Sequence, residues 1–264
     1  MSARAYLSIP APLRLVAEDV HCYTKAVSGW LESGRAPRVL ILGVTPEFLF
    51  MPWPAGTRIL AVDRSEHMIR EVWAGESRQA MCAEWGNMPL PDQSSDLIFC
   101  DGGLSFLQYP DELEEFTRNL GRITAPGALL VARIYDPGPD QEDPGQVMAD
   151  FLAGRIANSA ILKLRLAMAL SRPPAEGVVL DAIWRYYADA VGKPELLPAR
   201  TGWTDAELRA IEAYAGKAER YYFPTTEEIL AVLCDSPGGF ECISVQEPGY
   251  DFHERLRFVT LAPG

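Results

Sequence analysis

The chain has 264 residues, 48% of them hydrophobic and 23% charged, with a formal net charge of −12. That length suits one large α/β domain or a core with a subdomain, and the composition is ordinary for a globular protein. The negative field repels phosphate backbones, so a nucleic-acid partner is not expected, whereas a small cation is not repelled. No apolar run approaches the roughly 20 residues of a membrane helix, and "MSARAYLSIPAPLRLVAEDV" (1–20) lacks the apolar stretch of a signal peptide. No membrane partner is expected. The five cysteines (Cys22, Cys82, Cys100, Cys234, Cys242) are scattered and form no CxxC pair. Neither a metal site nor a disulfide framework follows from them, and idle thiols fit a reducing cytoplasm.

In chain order, the apolar spacing of Leu13, Val16, Val20, Tyr23, Val27 and Leu31 predicts a helix over 11–33, ended by Gly34 and Pro37. Apolar runs predict strands at 39–42, 59–63, 79–84, 95–101 and 127–135. Helices are predicted at 65–74, with Ser65 as N-cap, and at 111–123. Such β–α alternation with uninterrupted apolar strands is the pattern of a parallel sheet covered on both faces. It stops at a Pro-, Gly- and acid-rich loop, 136–146. Helices are predicted at 147–170, 178–191 and 204–219, with no clear strand among them. A helix at 225–234 and strands at 240–246 and 256–261 restore the α/β pattern. The short link between these last strands predicts an antiparallel final strand. The expected organisation is an α/β core of 1–136 and 225–264, with a helical insert at 137–224 capping a substrate pocket.

In an open parallel sheet, ligands bind beyond the carboxyl ends of the strands. Gly43, Asp63, Glu84, Asp101 and Gly102 all fall at such ends. A glycine lets main chain approach a ligand closely. An acid about twenty residues later can hold both hydroxyls of a ribose. Taken alone, these residues also fit a dinucleotide site.

The stretches "VDRSEHMI" (62–69), "AEWGNMPLPDQSSDLIFCDGGLSFL" (83–107) and "RNLGRITAPGALLVARI" (118–134) resemble, in order and spacing, motifs of class I S-adenosylmethionine (SAM)-dependent methyltransferases. The resemblance covers roughly 38–135 and 225–264. It implies a Rossmann-like sheet with an antiparallel last strand, SAM as cofactor and methyl transfer to a small-molecule acceptor. It also implies that Gly43 contacts the methionine moiety, Asp63 holds the ribose hydroxyls and Arg64 flanks the adenine. Glu84 would face the adenine amino group and the Trp85 backbone N–H a ring nitrogen, with Asp101 and Gly102 beside the methionine amine and the sulfonium.

One departure is the loop "GVTPE" (43–47), where Thr45 and Glu47 stand at two of the family's glycine positions. SAM has no pyrophosphate to cradle, so one glycine can suffice. Glu47 is either a contact for the SAM ammonium or a solvated acid in a first helical turn. His253, in the loop before the last strand, is the first candidate for a substrate-side base. His21 and His67 are expected on the N-terminal helix and at the surface. Rival readings are a SAM-binding protein without methyl transfer and a SAM-fold enzyme of cyclisation or rearrangement. An NAD-dependent oxidoreductase is disfavoured by the absence of GxGxxG.

Overall fold

The structure is a computed structural model that describes residues 6, 8–192, 196–250 and 252–264. The first five residues of the opening stretch lie outside it. Strands β1 (Arg38–Leu42), β2 (Arg58–Asp63), β3 (Ala80–Cys82), β4 (Ser95–Asp101), β5 (Thr124–Tyr135), β8 (Phe240–Gln246) and β9 (Leu256–Pro263) form one sheet in the order β3-β2-β1-β4-β5-β9-β8. All neighbours up to β5 are parallel. β9 enters antiparallel between β5 and β8. This is the Rossmann-like arrangement expected from the sequence, with its antiparallel last strand. Val39, Leu40, Ile41 and Leu42 are buried because both faces of β1 are covered.

Helices α1 (Ala17–Ala26) and α2 (Ser28–Glu32) precede the sheet, and α3 (Glu66–Val72) and α4 (Asp111–Ile123) connect its strands. Ser65 caps α3 through the Met68 N–H, as expected. On α4, Leu113, Phe116, Leu120 and Ile123 face the core. The single helix expected over 11–33 is corrected. Helix begins only at Ala17, because Pro10 and Pro12 supply no N–H and the Pro12 carbonyl is taken by Arg133 and Tyr135. A break at Val27 then separates α1 from α2.

The segment after β5 contains α5 (Pro144–Leu152), α6 (Ser159–Leu170), α7 (Leu180–Val191), α8 (Leu197–Thr201) and α9 (Asp205–Arg209), followed by a 3-10 turn at Ala210–Tyr214. The expected helix 147–170 is thus two helices. Gly154 turns the chain at φ +71°, and Asn158 caps α6. A two-stranded antiparallel ribbon, β6 (Val178–Val179) with β7 (Arg220–Tyr221), corrects the expectation of no strand there. Two-residue strands are too short to alternate visibly. The segment packs at the carboxyl end of the sheet. The Tyr222 N–H bonds the Ser105 carbonyl at 2.8 Å, and Tyr221 meets Phe106 edge-on at 5.0 Å, both partners lying in the turn after β4. Helix α10 (Thr226–Asp235) then leads into β8 and packs beside α4.

Two expectations about stability follow. A Cβ on Gly121, in α4, would overlap the carbonyl oxygen of Gly238. Gly121→Ala should therefore lower the urea midpoint, although alanine in a helix ordinarily gains about 1 kcal/mol. Lys163 on α6 lies against the Tyr214 ring at 4.8 Å, and burial pushes its amine down to about 8. The unfolded chain holds that proton up to about pH 10.4. The penalty is therefore full below about pH 8 and relieved as pH rises toward 10.4. Stability of the wild type relative to Lys163→Met should rise over that window in denaturant titrations.

Candidate functional site

The chain runs outward from β1 through β2 to β3, then crosses back to β4 beside β1. The crevice between the carboxyl ends of β1 and β4 is the switch point where ligands bind in such sheets. Gly43 leaves β1 with φ +95°, and its N–H bonds the Val62 carbonyl at 2.8 Å. A Cβ there would lie 3.8 Å from the Trp85 ring and 3.9 Å from Asp63 Oδ2. Asp63 ends β2, and its Oδ1 accepts the Ser65 N–H at 2.8 Å. Burial pushes its carboxyl above the usual range, opposed by backbone N–H groups of Ser65 and Val44.

The Trp85 side chain also reaches this crevice. Its indole Nε1 donates to the Val62 carbonyl at 2.8 Å, and its ring lies so close to Gly103 that a Cβ there would sit 2.5 Å away. The indole thus spans the crevice from Gly43 to Gly103. Asn119 of α4 anchors it by donating to the Trp85 carbonyl at 2.8 Å. Arg64 and Glu84 lie near these strand ends, and both are exposed.

Asp101 ends β4 and Gly102 follows in the left-handed region, φ +65°. Tyr135 packs so tightly that a Cβ on Gly102 would sit 2.6 Å from its ring. Both Asp101 oxygens accept from Arg133 of β5, from Nε at 2.6 Å and Nη2 at 3.0 Å. The remaining Arg133 donors go to Asp19 Oδ2 (2.9 Å), Tyr250 Oη (3.2 Å) and the Pro12 carbonyl (2.7 Å). All five guanidinium N–H groups are therefore satisfied. Asp19 also accepts from the Tyr250 hydroxyl at 2.6 Å and the Val16 N–H at 3.0 Å. Arg133 and Asp19 are fully buried. Burial pushes Asp101 up to about 6, against the opposing pull of Arg133.

Glu47 is not solvated but engaged within the protein. It is ion-paired with Arg14 Nε at 2.7 Å and accepts a hydrogen bond from the Tyr6 hydroxyl at 3.3 Å. His253 lies in the turn between β8 and β9, at the ligand end of the sheet, and is exposed. Its Nδ1 is 3.0 Å from the Tyr250 carbonyl. His21 and His67 are exposed. Tyr250 of this turn reaches inward to Asp19 and Arg133, a contact that sequence reasoning missed. The available signal was Arg133, a charge inside the apolar run "GALLVARIY" that needs buried partners.

Arg133→Met leaves Asp19 and Asp101 buried without a counter-charge. It is expected to cost about 3–5 kcal/mol in urea denaturation. Adding Asp19→Asn should recover part of that loss, because one uncompensated charge is removed. Simple additivity of the two losses would contradict the pairing.

Residues 42–132 match the family model described as a methyltransferase domain. No curated protein matches the chain. Among solved structures it is similar to the CcbJ methyltransferase from Streptomyces caelestis, at 15% identity and TM-score 0.54, over 99% of this chain and 96% of that one. It is also similar to the N-methyltransferase NodS from Bradyrhizobium japonicum WM9 in complex with S-adenosyl-L-homocysteine (SAH), at 11% and 0.53, over 98% and 95%. A putative Zn-dependent alcohol dehydrogenase from Rhodobacter sphaeroides aligns at 10% and 0.62, over 100% and 95%. At these identities the likeness is one of fold, and the family match is what separates methyltransferase from dehydrogenase. Residues 42–132 are a methyltransferase domain, and the chain that carries them has the class I SAM-dependent methyltransferase fold.

Proposed function

We propose that the protein transfers the methyl group of SAM to a small-molecule acceptor held between the strand ends and the helical segment 137–224. The observation that carries this reading is the crevice itself. The matched domain brings Gly43, with no Cβ, beside the carboxylate of Asp63. At the ribose side these residues fit the cofactor, since Asp63 Oδ2 faces the open side of Gly43 while Oδ1 holds the turn. Charge supports the same choice. Asp19 and Asp101 share one guanidinium, which leaves a surplus negative charge at the ends of β4 and β5. Such a site favours a sulfonium over a pyrophosphate.

SAM bound there supplies an electrophilic methyl on a positively charged sulfur. The acceptor's lone pair would form the new bond to that carbon, with the carbon–sulfur electron pair leaving on sulfur. The protein's part is alignment and exclusion of water. Asp63 holds the ribose, Gly43 admits the methionine portion against main chain, and Arg64, Glu84 and Trp85 surround the adenine side. Asp101, held by Arg133, and Gly102 flank the sulfonium. His253, in the β8–β9 turn, takes the acceptor's proton in this reading.

A second reading, binding without transfer, draws on the methionine side. There both Glu47 and Asp101 are already engaged by arginines. The two readings part when purified protein is incubated with methyl-labelled SAM and a broad set of small-molecule nucleophiles. Label in any acceptor, with SAH released in equal amount, supports transfer. SAM affinity with no labelled acceptor supports the second reading.

Calorimetry with SAH tests the assignments. Asp63→Ala should weaken binding by about 1.5–3 kcal/mol, the scale of hydrogen bonds to a charged group. Gly43→Val should abolish it, because a side chain at φ +95° is strained and fills the approach. Glu47→Gln and Thr45→Ala should each change it by less than about 1 kcal/mol. A much larger loss for Glu47→Gln would assign the ammonium to that carboxylate.

A further inference from the structure

A second concave site lies between the helical segment and the β8–β9 turn. A cleft of about 390 Å³ opens there, floored by Ile156, Ile161 and Phe252 and bordered by Arg155, Arg165 and Arg255. It shares Arg165, Arg255 and Glu142 with a small adjoining recess of about 10 Å³ that Arg172 also lines.

The four arginines are not equivalent. Arg155 and Arg165 are neutralised. Arg155 pairs with Asp150 at 2.7 Å, and Arg165 pairs with Asp150 at 2.6 Å and with Glu142. Arg172 and Arg255 have no carboxylate partner among the described residues. Each is tied by one nitrogen to a main-chain carbonyl, Arg255 Nη1 to Pro137 and Arg172 Nη2 to Gly138, the latter at 3.3 Å. Both are half-buried. Two consecutive carbonyls therefore each hold one guanidinium at the recess both residues line, with donors left over on each. One further acid, Glu254, lines the cleft, but it is exposed and lies 3.9 Å from His253. In a chain of net charge −12, this pair is a local positive spot beside an apolar floor.

We propose that this cleft, with the recess that adjoins it, binds a small oxyanion, carboxylate or phosphate, carried on an apolar body, with the anion at the mouth of the recess on Arg172 and Arg255 and the body in the cleft on Ile156, Ile161 and Phe252. A guanidinium with spare N–H groups offers a planar fork that matches both oxyanions. The floor removes apolar surface from water, and it adjoins the polar end as in other small-molecule sites. The cleft lies at the ligand end of the sheet. The Arg255 carbonyl accepts the Asp136 N–H at 2.9 Å, one residue beyond the end of β5. Resting on the proposed methyl transfer, this assigns the acceptor class: an acidic molecule whose anionic end is anchored away from the sulfonium. The binding itself does not depend on that reading.

The test uses phenyl phosphate and phenylacetate as probes, phenylacetamide as the uncharged control and calorimetry as the readout, in the presence and absence of SAH. The wild type should bind at least one anionic probe, and phenylacetamide at least about tenfold more weakly. Arg255→Gln and Arg172→Gln should each weaken the anion about tenfold, and the double variant should abolish binding, while SAH affinity stays unchanged in all three. A probe bound equally well by the double variant, or no binding tighter than about 1 mM for either anion to wild type, overturns the proposal. Anion binding without any SAH binding would leave the oxyanion site standing and remove the methyl-transfer reading instead.

Discussion

The structure turns on one buried cation. Arg133 stands in an apolar strand, where an unpaired guanidinium would be prohibitively costly, so every donor it carries must find a partner. Those partners come from four separate places: the residues before α1, α1 itself, the end of β4 and the β8–β9 turn. Meeting the requirement of one side chain therefore fixes the segment from Pro12 to Asp19 and the last hairpin against the centre of the sheet. Tyr23 adds a second tie, donating to the Cys100 carbonyl at 2.9 Å and accepting the Arg133 N–H at 3.1 Å. Its ring is packed edge-on against Phe48, Phe99 and Phe258.

That clasp also shapes the chemistry of the crevice. At the end of β2, Asp63 keeps an oxygen facing the open side of Gly43. On the other side, the carboxylates are held by arginines that arrive from the N-terminal segment and from β5. Arg14 neutralises Glu47, whereas Arg133 is shared between two acids and leaves negative charge in excess. A cationic ligand is thus met by the field of a pre-formed network more than by a free side chain. Fixed charges of this kind cost no reorganisation when charge moves during reaction.

Much of this was legible in the sequence, and the reasons differ element by element. Strands such as 95–101 and the helix 111–123 were readable because buried parallel strands are continuously apolar and α4 keeps a clean apolar stripe. The antiparallel last strand followed from loop length alone. The helix start at Ala17 was not legible, because it depends on the Pro12 carbonyl serving a residue over a hundred positions away. Tyr250 escaped for the same reason, its partner Asp19 being 231 residues distant. Of the strand-end residues, Gly43, Asp63, Asp101 and Gly102 do gather at the switch point. The indole of Trp85 lies across that crevice, a placement its sequence position does not reveal.

The most direct test of the account is a crystal structure of the protein grown with saturating SAH. The account predicts a nucleoside at the β1–β4 crevice, with both ribose hydroxyls within hydrogen-bond distance of the Asp63 carboxylate. A nucleoside bound elsewhere, or none at saturation, would contradict it.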